Sequence, residues 1–494
     1  MTTDTEIPRN EVNRRPDQTM RIGWARADLT PDQPVLLCGQ FHARVSEGVR
    51  DPVTATALAI EGAGTAGDGG AHAVLVSCDL VAISEALRDA VRERLHGVGG
   101  LDPAAVILGA THTHTAPEIS EWTPELDYGS MDRADYIAFA AERIAGAVCT
   151  AWEGRAAGGM SFGLGHAVVG HNRRWVDDCG RAHMYGNTSD PTFQHIEGWE
   201  DHALNLFATW NADGGLTGLV VNLACPSQVS ENEFQVSADF WHETRIALRK
   251  RFGKELHILG QVSAAGDLSP HHIIRRRAEE RMQALAARSR RDEIATRITA
   301  GVAAVMPILE REIAWAPLIR HRHRTLALSG RNLTQADADH AAREAAACRS
   351  EYDRLKVALA NDPEHRSRPR WYVDISRAAA GAAWNESVAR RFEAGPQKHE
   401  VEVHALRIGD LGFATNPFEL YLDYGARMMA RSPAVQTCIV QLSSGIDGYL
   451  PADRAARAGG YGAVPASAPV GPEGGAELVA ATLEMLESIW VENA

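Results

Sequence analysis

Val106-Ile107-Leu108-Gly109-Ala110-Thr111-His112-Thr113-His114-Thr115-Ala116-Pro117 governs the reading of the chain, because an apolar run gives way within a few residues to hydroxyl and imidazole side chains. Branched apolar residues in a short run predict a buried strand. The polar cluster that follows lies where chemistry collects in sheet-based enzymes, at a strand end. His112 and His114 are two residues apart, and in an extended segment such residues share a face, so both imidazoles can converge on one ion or one substrate. The spacing alone is a weak signal. His321-Arg322-His323 repeats it in an Arg-rich alternating stretch that reads as a solvated strand face.

Outward from this segment the same signal recurs. Residues 216–224 form a β-like run that meets the polar cluster Cys225-Pro226-Ser227-Gln228, and residues 256–262 precede the polar turn Gly266-Asp267-Leu268-Ser269-Pro270. Residues 21–29, 53–61 and 73–77 also read as strands, and 84–95 as a helix capped by Ser84. This alternation predicts an α/β fold of mixed sheets flanked by helices. Between about 271 and 400 the composition shifts to Arg, Ala and Glu. Ile294, Ile298, Val302 and Val305 mark one helical face there and Cys348, Tyr352, Leu355 and Leu359 another, which reads as a helix-rich insertion. Residues 399–415 alternate in period two around Gly409-Asp410, a hairpin signature. Val479, Leu483, Leu486 and Trp490 mark a C-terminal amphipathic helix. Residues 1–20 are polar, carry Pro8 and Pro16, and read as a disordered lead to one domain spanning 21–494.

Composition narrows the function. In 494 residues, 45% are hydrophobic and 23% charged, an ordinary globular balance. Fifty Lys and Arg against 64 Asp and Glu leave a net charge of −14, which repels nucleic-acid phosphates. No run approaches the roughly 18 apolar residues of a spanning helix, and the first residues lack the apolar centre of a signal peptide, so a cytoplasmic protein without an integral membrane segment is expected. The seven cysteines include no CxxC pair, so neither a disulfide framework nor a zinc ribbon is suggested. Cys225 alone stands at a strand end, as a small buried hydrophobe, a thiolate ligand or a nucleophile. Asp239 and His242 open a helix, with capping by Asp239 the simple reading. Asn416-Pro417-Phe418-Glu419 places a carboxylate where a helix over 420–429 begins, and Tyr449 and Tyr461 lie twelve residues apart in Gly-rich loops.

In chain order these segments resemble the catalytic domain of the neutral, non-lysosomal ceramidase family. The resemblance begins at Gly23-Trp24-Ala25-Arg26-Ala27-Asp28-Leu29-Thr30 and extends through Tyr461. Residues 110–117 are similar to the family's Gly-Thr-His-Thr-His-Ser-Gly-Pro motif, which implies that His112 binds zinc and His114 carries the proton. Asn172-Arg173 resembles the start of an Asn-Arg-Ser-Pro segment whose arginine lines the active site. Residues 266–270 resemble Gly-Asp-Val-Ser-Pro, implying a supporting role for Asp267 and substrate contact for Ser269. By the same resemblance Glu419 and Tyr449 would be metal ligands, and Tyr461 a second active-site tyrosine.

The sequence departs from the family at Cys225, which stands in Leu223-Ala224-Cys225-Pro226 where family members have a zinc histidine in Ala-Val-His-Pro. A thiolate at about 2.3 Å can replace an imidazole nitrogen at about 2.0–2.1 Å, at the cost of a weaker Lewis acid. Alternatively His242 supplies the imidazole, or the metal site has been lost. Glu118 and Arg174-Trp175 add larger polar groups beside the implied pocket, and the chain ends before the immunoglobulin-like domain such ceramidases carry, so a substrate smaller or more polar than ceramide is expected. The expectation is a hydrolase with one Zn2+ per chain, cleaving the amide of an N-acylated small-molecule or lipid-like substrate. Two alternatives stand beside it: a metal-free hydrolase or transferase using Cys225 with His112 or His114 as base, and an inactive binding protein on the same scaffold. Oligomeric state is not legible in the sequence.

Overall fold

Side-chain parity along the strands sets the layering. In the strand Thr54–Glu61, Ala55, Ala57 and Ala59 enter one apolar cluster while Leu58 and Ile60 enter another, so the strand is buried on both faces. The computed structural model describes residues 19–63, 71–120, 123, 126–362 and 364–491. Of the expected polar lead, residues 1–18 lie outside the described residues. Thr19 and Met20 are buried, and the Met20 amide donates to the Trp315 carbonyl at 2.8 Å.

The large sheet has eight strands in the order His257–Val262, Leu216–Leu223, Ala203–Asn211, Ala156–His166, Arg21–Asp28, Thr54–Glu61, His72–Cys78 and Val106–Ala110. Its inner pairs are antiparallel and the pair at each edge is parallel. Parallel neighbours need a crossover, supplied at the two edges by the helices Glu85–Leu95 and Phe240–Phe252. Ser84 caps the first, accepting from the Leu87 amide. A second sheet runs Ile319–Ser329, Lys398–Ile408, Leu411–Thr415, Gln436–Val440, with the expected hairpin turning at Gly409-Asp410 and a parallel last pair joined through the helix Leu422–Arg431.

The two sheets face each other across a cluster containing Ile22, Leu58, Leu75, Phe207, Leu259, Leu406 and Phe413. Helices cover the outer faces, including Arg133–Glu153 and Arg290–Leu309 on the large sheet and Pro472–Trp490 on the small one, giving a helix, sheet, sheet, helix stack. Burying a Leu, Ile or Phe side chain in such a layer contributes about 1.5–3 kcal/mol. The stack aligns the carboxyl ends of parallel strands from both sheets. The Gln441 amide donates to the Val262 carbonyl at 3.1 Å, and Ser443 pairs with Gly109.

The stretch 271–400 is not one helical insertion. The helix Arg290–Leu309, carrying Ile294, Ile298, Val302 and Val305 inward as expected, belongs to the covering layer. Gly301 lets it approach, since a Cβ there would lie 2.6 Å from the His166 carbonyl oxygen. Ile319–Ser329, with its half-solvated His321-Arg322-His323, pairs along its whole length with Lys398–Ile408. The helices Gln335–Asn361 and Val373–Ala394 pack chiefly on each other. Composition reports helix exposure, not connectivity, which is why these different pieces read alike in the sequence.

Candidate active site

His112 follows the strand Val106–Ala110 in a left-handed conformation, φ 61°, so the segment is not extended as its spacing suggested. The two rings nevertheless converge, their Nε2 atoms 3.2 Å apart. The backbone turn is held by Thr111 Oγ1 donating to Asp79 at 3.2 Å and Thr113 Oγ1 donating to the Ser237 carbonyl at 2.8 Å. His112 Nδ1 donates to the Val81 carbonyl at 2.6 Å. That bond puts a proton on Nδ1 and orients the ring so that Nε2 lies 3.5 Å from Glu419 Oε2.

Glu419 does not open a helix. The helix begins at Leu422, and Glu419–Leu420 forms a short parallel pairing with Tyr449–Leu450 that sets Glu419 directly opposite Tyr449. Their side chains are hydrogen-bonded, and the Glu419 carboxyl lies below its ordinary range: burial raises it, but His112, Arg173 and the Tyr449 hydroxyl together outweigh that. Arg173, buried, donates through Nη2 to the Tyr449 hydroxyl at 3.0 Å and to the Gly266 carbonyl at 2.8 Å. Tyr461 lies edge-on to Tyr449 with ring centroids 5.3 Å apart.

Asp267 positions Arg173. Its carboxylate accepts from the Leu422 amide at 2.9 Å and from Asn172 Nδ2 at 3.1 Å, while its carbonyl accepts from the Arg173 amide at 3.0 Å. Complete burial pushes its pKa up to about 6. Ser269 is also fully buried; it accepts from the His271 amide at 3.2 Å and hydrogen-bonds Tyr185.

Cys225 is placed elsewhere. The alternation that sends Leu219, Val221 and Leu223 to the outer cluster carries Cys225 with them, where its thiol meets the Pro226 carbonyl at 3.5 Å and burial pushes its pKa up. Among the described residues it forms no three-ligand group with His112 and Glu419. Neither a thiolate ligand nor an activated nucleophile fits this placement. His242 is turned toward Asp51, 4.0 Å away, so it does not supply the missing imidazole. Asp239 caps its helix by accepting from the Phe240 amide at 2.7 Å, as the simple reading held.

Three further residues adjoin these side chains, Gln228 from the polar cluster that ends a predicted strand, and Glu231 and Arg44 without any sequence signal. Gln228 Nε2 donates to His114 Nε2 at 2.8 Å, and Glu231 Oε2 lies 3.6 Å from His114 Nδ1. Arg44, fully buried, donates to the Glu231, Glu233 and Cys38 carbonyls at 2.7, 2.8 and 2.6 Å and to the His114 carbonyl. Burial, then the neighbouring His112 and Arg44, hold the His114 pKa well below its ordinary value, so the ring is neutral at pH 7. Gly39 lies against that ring, where a Cβ would come 2.4 Å from Cγ.

The donor set fits a divalent cation in part. Two ligand atoms on a tetrahedral zinc are about 3.3 Å apart, given bond lengths of about 2.0–2.1 Å. The 3.5 Å between His112 Nε2 and Glu419 Oε2 is close to that edge, and Tyr449 adjoins through its bond to Glu419. The fourth donor expected at Cys225 is missing from this arrangement. A separate group, Asp177, Asp178 and Cys179, has ligand atoms within 4.8 Å of one another in a turn, but Asp177 already holds Arg181 and His183.

No family model matches the chain, and no curated protein matches it. Its fold is shared with solved ceramidase structures. One, a ceramidase complexed with C2, aligns with a TM-score of 0.66 and 15% identity over 96% of this chain and 75% of its own. Another, the neutral ceramidase from Pseudomonas aeruginosa, aligns with a TM-score of 0.66 and 16% identity over 97% of this chain and 76% of its own.

Proposed function

We propose that the protein is a metal-dependent hydrolase that cleaves the amide bond of an N-acylated small molecule with water. The observation that carries this reading is His112 Nε2, its ring oriented through Val81, facing Glu419, which is itself hydrogen-bonded to Tyr449, at the strand ends of a ceramidase-like fold. His112, Glu419 and Tyr449 would hold a zinc ion, which would supply the Lewis acidity needed for hydrolysis near pH 7.

The chain's own groups do the rest. Neutral His114 accepts the proton of the attacking water at Nε2, with Glu231 beside Nδ1 to stabilise the imidazolium. Gln228 serves both ring states, its NH2 donating to the neutral ring and, after an amide flip, its carbonyl accepting from the protonated one. Arg173, pinned between Gly266 and Tyr449, faces the carbonyl oxygen as it gains negative charge, with Tyr461 alongside. His114 then returns the proton to the leaving nitrogen as the C–N bond breaks, giving a carboxylic acid and an amine.

The test is hydrolysis of a panel of N-acyl substrates by metal-loaded protein. His114→Ala should retain metal and lose about 10²- to 10⁴-fold in kcat. A His114→Ala enzyme at the wild-type rate removes the proton-transfer role, and loaded wild type inert on every N-acyl substrate removes the amidase reading.

A further inference from the structure

A cavity of about 380 Å³ opens beside the site, walled by Tyr185, Glu231, His271, Arg276, Glu280 and Gln283. Two of these residues touch the proposed machinery. Glu231 Oε2 lies 3.6 Å from His114 Nδ1, and the Tyr185 hydroxyl accepts from Arg173 Nη1 at 3.4 Å. With His114 as the donor to the leaving nitrogen, the substituent on that nitrogen would lie on the side of Glu231, which joins His114 to the cavity wall. Phe41 and Trp384 instead line the Tyr461 side, their ring centroids 5.0 and 6.0 Å from that tyrosine, which leaves an aromatic wall for the acyl half.

The cavity's chemistry is polar and internally charge-balanced. Glu231 Oε1 is 3.1 Å from His271 Nε2, Arg276 pairs with Glu280 at 3.8 Å, and Arg290 on the same wall lies 3.9 Å from Glu279 and donates to the Pro270 carbonyl at 2.8 Å, so two carboxylates and two guanidinium groups line the cavity. With carboxylates and guanidinium groups equal in number the wall favours neither an anion nor a cation, yet its side chains retain N–H groups and oxygen lone pairs that suit neutral hydroxyls, which both donate and accept. Tyr185 and His271 meet edge to face at 5.6 Å and offer an aromatic surface to the C–H face of a ring. An aliphatic chain here would strip water from these groups and leave their hydrogen bonds unmade.

We propose that this cavity receives the amine half of the substrate, and that this half is a compact, neutral, polyhydroxylated ring, making the substrate class an N-acylated amino sugar; this rests on the hydrolase reading above. Three probes with one acyl group test it: N-acetylglucosamine, N-acetylbutylamine and N-acetylaspartate. Titration calorimetry on the metal-loaded protein should show N-acetylglucosamine binding at least about tenfold tighter than either other probe, since a site built for hydroxyls rejects analogues lacking them. The double variant Arg276→Leu/Gln283→Leu, on the cavity wall and outside the catalytic groups, should lose about fivefold or more of that affinity with an unchanged melting temperature. Tighter binding of the butylamine or of the aspartate derivative overturns the proposal, as does an unaffected double variant. Sugar binding without turnover would leave the cavity assignment standing and remove the hydrolase reading; amide hydrolysis without sugar preference would do the reverse.

Discussion

At the scale of single residues, the site depends on backbone geometry that side-chain patterns do not encode. His112 reaches Glu419 from a left-handed conformation, and Gly39 leaves room for the His114 ring at φ 99°. Gly39→Ala should therefore displace that ring and lower turnover while metal content stays at the wild-type level, with a stability loss of about 1–3 kcal/mol; unchanged kcat would show that the ring has room to spare. Cys225→Ala should cost about 1 kcal/mol in a urea melt, as a truncation in an apolar cluster, and leave metal content intact. His112, His114, Arg173, Glu419 and Tyr449 were singled out by their order along the chain, and the fold brings their side chains together. Cys225 was misplaced because a strand-end residue faces the site or the outer layer according to strand parity, and parity at the last residue is not visible in a short apolar run. Arg44 and Glu231 work through contacts with segments far away in sequence, so no local pattern marks them, while Gln228 lay in a polar strand-end cluster that did not reveal its partner.

At the scale of elements, close approach decides what can be replaced. A methyl at Gly301 would collide with the His166 carbonyl, so Gly301→Ala should destabilise by about 1–3 kcal/mol, although alanine in an open helix gains about 1 kcal/mol over glycine. A more stable variant in chemical denaturation would mean that the helix Arg290–Leu309 shifts freely on the sheet. Several strands and helices were legible from their periodicity, including the hairpin at Gly409-Asp410 and the last helix, whereas the helix Arg133–Glu153 and the strands Ala156–His166 and Ala203–Asn211 were not read from the sequence. The short pairing of Glu419–Leu420 with Tyr449–Leu450 was not, since two residues carry no period, yet it brings two candidate ligands side by side.

At the scale of the whole molecule, two sheets from distant parts of the chain meet only if the fold is complete, and His112, Glu419 and Tyr449 come together there. Metal binding should therefore stabilise the folded state, and chelation should lower the melting temperature of wild type but not of His112→Ala. Asp267 adds a pH dependence of known sign. Its folded pKa of about 6 exceeds the ordinary 3.8, so between those values the folded protein holds a proton that the unfolded chain has released. Its contribution to stability is thus present below that window, falls as pH rises through it, and is constant above; Asp267→Asn should remove this component from a series of melts between pH 4 and pH 7. The mixed α/β class was readable because strands and helices alternate, whereas the face-to-face stacking of two sheets depends on which faces are buried twice.

The most direct measurement is metal stoichiometry in wild type, His112→Ala, Glu419→Gln and Cys225→Ala, each purified without added zinc. With His112, Glu419 and Tyr449 as the ligands, wild type and Cys225→Ala hold about one zinc per chain, while His112→Ala and Glu419→Gln hold almost none. Zinc retained by His112→Ala, or lost from Cys225→Ala alone, would contradict this ligand set.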